Sequence, residues 1–374
     1  MSCETQLNTF LLKSKKDLEN IDEKPCVHVV IGNESCDLDS AVSSITYAYF
    51  LSHDVLPESA VIPVINVPKK QFEVKTEVKY FLNLNSITDD MLVFRDDIAL
   101  LGLHAANQLK LVLVDHHVLQ SELAALNAAV THVIDHRPRV AAASGVATHV
   151  HIELVGSCAT LVGQRLHEKK LLQQPQIARL VRGTILLDTS NFSPVTKKTT
   201  ELDRQIVALC EKEADLDCSR QELFDELVAA KTDISSLSTY SLLIKDMKKV
   251  FGVPLSVLTM SVKDFLERPD AEASIKEFCT EHEARVLLIL GVIVREGSQL
   301  RDLFIYPNTC RPLADKIEEY LKASTTPKLD LHMVENKFGG KIFKEINTYS
   351  TRKQVLPIVE RAIQNYDTET GINS

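Results

Sequence analysis

The N-terminal half of the chain repeats one arrangement, in which a short run of consecutive apolar residues precedes a polar loop and a helical segment. Strands are predicted from these runs at residues 27–31, 61–67, 91–94, 110–114 and 131–134. Between them, helices are predicted at 40–51, 98–108 and 121–129. A strand that is apolar on both faces is typical of a parallel sheet covered by helices on both sides. The pattern therefore predicts an α/β fold with a doubly wound parallel sheet.

The rest of the chain predicts a second, smaller domain. With 374 residues the chain exceeds what one hydrophobic core usually organises. Helices are predicted at 158–170, 176–187 and 200–214, and the charged stretch 211–217 is interpreted as the junction. The predicted domains are 1–214 and 215–374. In the second domain, helices at 221–231, 240–250 and 352–365 and strands at 254–259, 286–294 and 300–305 indicate a mixed α+β fold. Gly339-Gly340 predicts a hairpin turn.

Composition excludes several classes of protein. The net charge of -9 argues against a nucleic-acid partner, which would require a basic surface. A membrane partner is not expected, because there is no apolar run of about 18 residues. The 8 cysteines form no CxxC pair, which argues against a structural zinc site. The N-terminal segment lacks a signal-peptide core, so a cytoplasmic location is expected, with Lys13, Lys15 and Lys16 leaving mitochondria as the alternative.

Four segments concentrate Asp and His directly after an apolar run. They are residues 32–40 with Asn33, Asp37 and Asp39; Asp115-His116-His117; Asp135-His136-Arg137-Pro138; and Asp188 with the four residues after it. Each alone is usually explained as a turn or a helix cap, and Asp39 before a helix from Ser40 fits that explanation.

Together the four segments indicate a metal centre. Ligands of doubly wound sheets gather at the carboxyl ends of the strands, so these side chains are expected to lie close together. Unpaired carboxylates in one place repel each other, and a cation relieves that repulsion. Oxygen ligands with one or two imidazoles suit Mg²⁺ or Mn²⁺. Two such ions would activate a water and hold a phosphoryl group.

At this point the motifs carry a family resemblance. The segments GNESCDLDS, LVDHH, VIDHRP and LLDTSNF resemble the four motifs of the DHH phosphoesterase superfamily. Ser350-Thr351-Arg352-Lys353 resembles the Ser-Arg-Lys signature of the subfamily with a DHHA2 domain, which includes family II inorganic pyrophosphatases. Asn33, the Asp-His-Arg sequence at 135–137 and VGSCATLV at 155–162 are most similar to the prune-type exopolyphosphatases. The resemblance extends from Gly32 to Lys353.

The resemblance implies roles for individual residues. The implied metal ligands are Asn33 and Asp37 for one ion, Asp39, His136 and Asp188 for the other, and Asp115 between them. Asp135 is expected to orient its neighbours. The implied substrate-binding residues are Arg137, Lys248, Arg352, Lys353 and His117, with the second domain closing over the first. Without the resemblance, Lys248, Arg352 and Lys353 would be interpreted as solvated charges. Asp115, His136 and Arg137 are the implied catalytic residues.

Two departures from the family pattern bear on activity. Asn33 stands where pyrophosphatases have a His, and its amide oxygen is a harder and weaker donor. We therefore expect two divalent metal ions with Mg²⁺ preferred and Mn²⁺ as the alternative, and a less occupied first site. Arg137 stands where a second His contacts phosphate, and a guanidinium cannot give up its proton at neutral pH. We expect charge stabilisation to remain and pyrophosphate hydrolysis to be poor.

The predicted function is a short-chain exopolyphosphatase, with inorganic polyphosphate or a nucleotide phosphate as substrate. The first alternative is a cyclic-nucleotide (cAMP or cGMP) phosphodiesterase, which would need a pocket for the base. The aromatic fraction of 6% with no Trp does not indicate a stacking clamp. The second alternative is a weakly active interaction or regulatory protein. Protein partners are not specified by the sequence.

Overall fold

A computed structural model describes residues 5–139, 147–213, 218–295, 298–348 and 350–371. The chain forms two compact units that divide between Asp233 and Ile234. The boundary expected between residues 214 and 215 lies in the segment 214–217, outside the described residues, and stays a prediction.

The first unit contains a parallel sheet with the strand order β3-β2-β1-β4-β5-β6. Its strands are β1 Val27–Ile31, β2 Ala60–Ile65, β3 Val93–Phe94, β4 Leu109–Val114, β5 Val130–Asp135 and β6 His149–Ile152. The first five lie where the apolar runs predict them. Strand β6 was not predicted, because His-Val-His-Ile is short, alternates polar and apolar residues and pairs on one side only.

Helices precede and connect these strands, and among the described residues of this unit four more helices follow the last strand. They are α1 Gln6–Glu19, α2 Leu38–Ser52, α3 Lys69–Phe72, α4 Thr76–Leu84, α5 Leu100–Ala105, α6 Cys158–Glu168, α7 Pro175–Asp188, α8 Glu201–Glu213 and α9 Arg220–Thr232. The helix predicted at 121–129 is present as a 3₁₀ helix, Ser121–Ala129. Helix α2 begins at Leu38, so its N-cap is Asp37, whose side chain accepts from the Ser40 N–H. The expectation that Asp39 caps this helix was therefore wrong.

Both faces of the parallel sheet are buried. Val30 belongs to the apolar cluster that includes Leu161 of α6 and Leu180 of α7. Its neighbours Val29 and Ile31 point to the opposite face and join a second cluster. Because successive side chains of a strand alternate between faces, a strand with two buried faces must be apolar throughout. The doubly wound fold predicted from the continuous apolar runs is confirmed.

The second unit contains a mixed sheet with the order β11-β12-β10-β9-β8-β7. Its strands are β7 Met247–Val250, β8 Val253–Leu258, β9 Val286–Arg295, β10 Ser298–Pro307, β11 Leu331–Lys337 and β12 Gly340–Glu345. Only the β8–β9 pairing is parallel. Its helices are α10 Thr239–Lys245, α11 Val262–Leu266, α12 Ala271–Glu281, α13 Arg311–Ala323 and α14 Arg352–Thr370. The expected mixed α+β fold is confirmed.

Two hairpins in the second unit bear on predictions made from the sequence, the helix at 240–250 and the turn at Gly339-Gly340. The helix expected over 240–250 was wrong in its second half, where β7 pairs with β8 through a turn at Phe251 and Gly252. Gly252 has φ +77, which a glycine adopts without strain, and the turn brings residues 247–250 back against β8 as a strand after helix α10 has ended at Lys245. The hairpin predicted at Gly339 is confirmed, since Lys337 pairs with Gly340 and Gly339 has φ +82.

No helix among the described residues is long and apolar enough to cross a bilayer.

Close packing of α7 against α4 generates a stability prediction. A Cβ added at Gly183 would lie 2.2 Å from Cζ of Phe81, whereas one at Gly102 of α5 would meet only the Ala99 Cβ at 3.7 Å. We expect Gly183→Ala to lower the free energy of unfolding by about 1–3 kcal/mol through overpacking. Gly102→Ala, the matched control, should be neutral or raise it by up to about 1 kcal/mol through helix propensity. Urea denaturation measures both, and equal stability of the two variants would contradict the packing argument.

Candidate metal centre

The four Asp- and His-containing segments meet at the carboxyl edge of the parallel sheet. Strands β1, β4 and β5 are neighbours in register, with Ile31 opposite Leu113 and Val114 opposite Ile134. The residues that follow them therefore emerge side by side. Asp115 has φ +60, and its N–H donates to the Ile134 carbonyl, which turns the chain directly after β4. Asp188 reaches the same place from the last position of α7.

Three side chains form a potential metal site. The candidate ligand atoms of Asp39, Asp115 and His136 all lie within 4.8 Å of one another. His136 Nε2 is 3.2 Å from Asp115 Oδ1 and 3.8 Å from Asp39 Oδ2. The two aspartates are almost completely buried, while His136 is partly exposed. The sequence-predicted ligands Asp39, Asp115 and His136 are thus brought together in one place.

The tautomer of His136 shows why a cation fits there. Its Nδ1 lies 3.0 Å from the Val155 carbonyl oxygen, which can only accept, so Nδ1 carries the hydrogen. In the neutral ring, Nε2 then presents a lone pair toward Asp115 Oδ1. That oxygen is buried and accepts no well-aligned hydrogen bond from the described part of the chain. Two facing acceptors need a proton or a metal ion between them, and an imidazole oriented by a backbone carbonyl is a common metal ligand.

The electrostatics of the cluster lead to the same conclusion. Burial, together with the nearby charge of Asp39, raises the pKa of Asp115 to about 7. Burial and the charges of Asp39 and Asp37 raise the pKa of Asp188 well above its usual range. Burial lowers the pKa of His136, but the Asp115 contact and the Asp39 charge outweigh it and raise that pKa to about 9. All three shifts favour bound protons at this cluster, and a divalent ion would supply the same positive charge.

The start of helix α6 holds the candidate ligand Asp39. Its Oδ2 accepts from the Cys158 N–H at 2.6 Å and its Oδ1 from the Ala159 N–H at 2.8 Å. Free N–H groups at a helix N-terminus favour a carboxylate. Cys158 also accepts at Sγ from the Asp115 N–H and donates to the Ile134 carbonyl. Burial, followed by the charges of Asp39 and Asp115, raises the pKa of this thiol well above its usual value.

Asn33 and Asp37, from the segment 32–40, make contacts of a different kind from those of the three clustered side chains. Asp37 caps α2 and also accepts from the Ser35 hydroxyl at 3.2 Å. Asn33 donates from Nδ2 to Asp115 Oδ2 at 2.5 Å, while its amide oxygen accepts from the Ser35 N–H at 2.8 Å. The Ser35 N–H fixes which amide atom is the oxygen. The oxygen is therefore directed to Ser35, and the assignments of Asn33 and Asp37 as metal ligands stay predictions.

Asp135 and Arg137 border the cluster on one side. Asp135 is fully buried, pairs with His117 Nδ1 and accepts from the His136 N–H at 2.7 Å. Arg137 donates to the Asp115 carbonyl at 2.5 Å, and its second Nη lies 3.2 Å from Asp115 Oδ1. A cleft of about 380 Å³ opens here, lined by Asn33, Glu34, Ser35, Asn66, His116, His117, Val118, Leu119, Gln120, Leu123, Asp135 and Arg137.

The second unit carries the other predicted phosphate contacts. Lys248 is exposed on β7, and Arg352 and Lys353 begin helix α14. Arg352 donates to the Asp246 carbonyl at 3.0 Å and to its carboxylate at 2.5 Å, which places it near the start of β7.

Several groups that support the site were not identified from the sequence. The Ser40 hydroxyl donates to Asp115 Oδ2 at 2.6 Å. The Val155 carbonyl and the Cys158 and Ala159 N–H groups contact His136 and Asp39. Backbone groups leave no residue-type signal in a sequence. The small residues at the start of α6, Gly156-Ser157-Cys158, were the available indication of close approach.

Comparisons with known proteins agree with this geometry. Residues 28–204 match the model of the DHH family N-terminal domain, and residues 225–362 match the DHHA2 domain. The chain is 36% identical over 354 residues to exopolyphosphatase PRUNE1 of Mus musculus, covering 92% of this chain and 77% of the mouse protein. It is 31% identical to a putative exopolyphosphatase of Schizosaccharomyces pombe, covering 96% and 98%. It is 28% identical to a manganese-dependent inorganic pyrophosphatase of Methanothrix thermoacetophila, covering 90% and 98%.

Both domain models match in chain order, and the similarity to these relatives extends over nearly the whole chain. The chain therefore belongs to the DHH family, in the branch that combines a DHH domain with a DHHA2 domain.

Proposed function

We propose that this protein is a metal-dependent phosphohydrolase that releases terminal phosphate from short polyphosphates. The observation that carries the proposal is the facing pair of His136 Nε2 and Asp115 Oδ1 at 3.2 Å, two acceptors that need a proton or a metal ion between them. Two relatives at 36% and 31% identity are named exopolyphosphatases, which supports the substrate class. A cytoplasmic location stays a prediction.

The roles of the side chains follow from their chemistry. The proposed metal ligands are Asn33, Asp37, Asp39, Asp115, His136 and Asp188. When bound, two divalent ions would supply an activated water and neutralise the phosphoryl group. Arg137 keeps its charge at neutral pH and can bind two phosphate oxygens at once, once it leaves Asp115. Lys248, Arg352 and Lys353 are proposed to neutralise the rest of the phosphate chain.

The central experiment compares substrates in parallel. We expect Mg²⁺-dependent phosphate release from tripolyphosphate and tetraphosphate, and little from pyrophosphate. Asp188→Ala removes a proposed ligand and should reduce the rate by at least about 100-fold, as loss of a metal-held nucleophile does. The control is the melting temperature of this variant, which shows whether it folds. Activity that survives in folded Asp188→Ala would contradict the proposed role of Asp188. Silence of the unmodified protein on every substrate, with metal bound, would contradict the enzymatic proposal and favour a binding protein.

The choice of metal gives a second prediction. Amide and carboxylate oxygens are harder donors than imidazole, so we propose that Mg²⁺ activates this enzyme better than Mn²⁺. Titration of each metal in the tripolyphosphate assay measures this. Asn33→His, the matched variant, should shift the preference toward Mn²⁺. Tighter activation of the unmodified protein by Mn²⁺ would refute the assignment.

Arg137 gives a third prediction. Hydrolysis of pyrophosphate expels a single phosphate, which is a poorer leaving group than the shortened chain expelled from a longer polyphosphate. Pyrophosphate hydrolysis therefore gains more from a proton donor. We expect Arg137→His to raise the rate on pyrophosphate relative to tripolyphosphate by at least about tenfold, which is less than the roughly 100- to 10,000-fold that general acid catalysis typically contributes. Arg137→Lys keeps the positive charge. Because a lysine stays protonated near neutral pH, it does not donate a proton to the leaving group, and this variant should give no such gain. If the His and Lys variants behave alike, the proton-donor argument fails.

One observation favours a second candidate function, hydrolysis of a cyclic nucleotide. The cleft beside Arg137 has an apolar wall of Val118, Leu119 and Leu123, which polyphosphate alone does not need. Cyclic AMP belongs in the same substrate panel, with AMP as the measured product, because opening the ring releases no phosphate. AMP formation without phosphate release from polyphosphate would make this the principal activity.

A further inference from the structure

Asp203 is a buried carboxylate whose hydrogen bonds reach well beyond its own helix. It lies on α8 and is 0% exposed. With Thr200 it forms a local cap, in which the Thr200 N–H and hydroxyl donate to Oδ2 at 2.6 and 2.7 Å. Its other two donors are distant in sequence. The Gly156 N–H lies 3.0 and 2.9 Å from the two oxygens, and the Thr160 hydroxyl donates to Oδ1 at 2.6 Å.

The segment that Asp203 holds is the one that contacts the candidate metal ligands. Between the two anchored residues, Gly156 and Thr160, lie Cys158 and Ala159, whose N–H groups bind Asp39. Directly before Gly156, the Val155 carbonyl accepts from His136 and sets its tautomer. The residues from 155 to 159 therefore fix the direction of two ligand side chains.

The same segment lies against the end of α7, where the fourth ligand is. A Cβ on Gly156 would be 2.4 Å from Cγ2 of Thr189 and 2.8 Å from Asp203 Oδ2, so only a glycine allows this approach. Thr189 follows Asp188 directly and is fully buried. A shift of the backbone that Asp203 binds would consequently displace Asp188 as well as Asp39 and His136.

Capping alone does not explain a fully buried charge in this position. Removing a carboxylate from water costs several kcal/mol, and a helix cap is achieved equally well by an exposed side chain. A carboxylate is, however, the one side chain that accepts from four donors simultaneously. We propose that Asp203 is a positioning residue of the metal centre, which holds residues 155–160 so that Asp39, His136 and Asp188 converge. This inference rests on the proposed metal-dependent function.

The test measures metal affinity, which a purely structural role would not change. Asp203→Asn keeps the shape but turns one acceptor into a donor facing the Gly156 N–H. We expect its affinity for Mn²⁺, measured from free Mn²⁺ by electron paramagnetic resonance on the full chain, to fall about tenfold, as for residues that orient ligands. The spectrum of bound Mn²⁺ should also change.

The matched control lies on the same helix. Glu211 binds Arg182 and Arg220 and contacts none of the candidate ligands. Glu211→Gln should lower stability but leave the Mn²⁺ affinity within about a factor of two, since distant sites act independently. If Asp203→Asn does not fold, Thr160→Val removes one donor to Asp203 and should weaken Mn²⁺ binding in the same direction.

The outcomes separate this inference from the function on which it rests. Unchanged Mn²⁺ affinity in a folded Asp203 or Thr160 variant overturns the positioning role alone. An equal loss of affinity in Glu211→Gln also overturns it, because general destabilisation would then suffice. Absence of Mn²⁺ binding by the unmodified protein overturns the metal-dependent function and the positioning role together.

Discussion

The mutual repulsion of buried carboxylates is the constraint on which the first unit depends. Asp39, Asp115 and Asp188 are brought together at one sheet edge, away from water, and each raises the free energy of the others' ionised forms. The surrounding structure offsets this repulsion with hydrogen-bond donors and one positively charged side chain. The N-terminus of α6 faces Asp39, and the hydroxyl of Ser40 and the guanidinium of Arg137 face Asp115. What these groups leave uncompensated is the charge that a divalent ion would balance.

The fold could be predicted where a single physical rule dominates. Burial on both faces makes strands β1, β2 and β4 apolar throughout, and the sequence shows this directly. Strand β6 lies at the sheet edge and is half exposed, so its composition is not distinctive. Residues 247–250 come soon after helix α10 in the sequence, but pairing with β8 across the Phe251-Gly252 turn makes them a strand. Local periodicity contains no information about such a partner.

The candidate site could be predicted in its side chains but not in its supports. Asp115 and His136 follow predicted strands closely and Asp39 directly precedes a predicted helix, so the predicted topology is enough to bring them together. The amide orientation of Asn33 depends on the Ser35 N–H, and the contacts of Asp203 join residues more than forty positions apart. Hydrogen bonds to backbone groups are made with any residue type, so the sequence does not reveal them. The supports are defined only by three-dimensional geometry.

The state of Cys158 bears on the kind of ligand that the candidate metal centre offers. Its sulfur accepts from the Asp115 N–H and donates its proton to the Ile134 carbonyl, and burial, followed by the charges of Asp39, Asp115 and Asp135, raises the pKa of the thiol well above its usual value. Thiophilic ions such as Zn²⁺ and Cu⁺ gain their advantage over hard ions from thiolate ligands. Here that sulfur is kept in the protonated form. The candidate centre thus has beside it a cysteine that donates a hydrogen bond in this structure instead of presenting a thiolate.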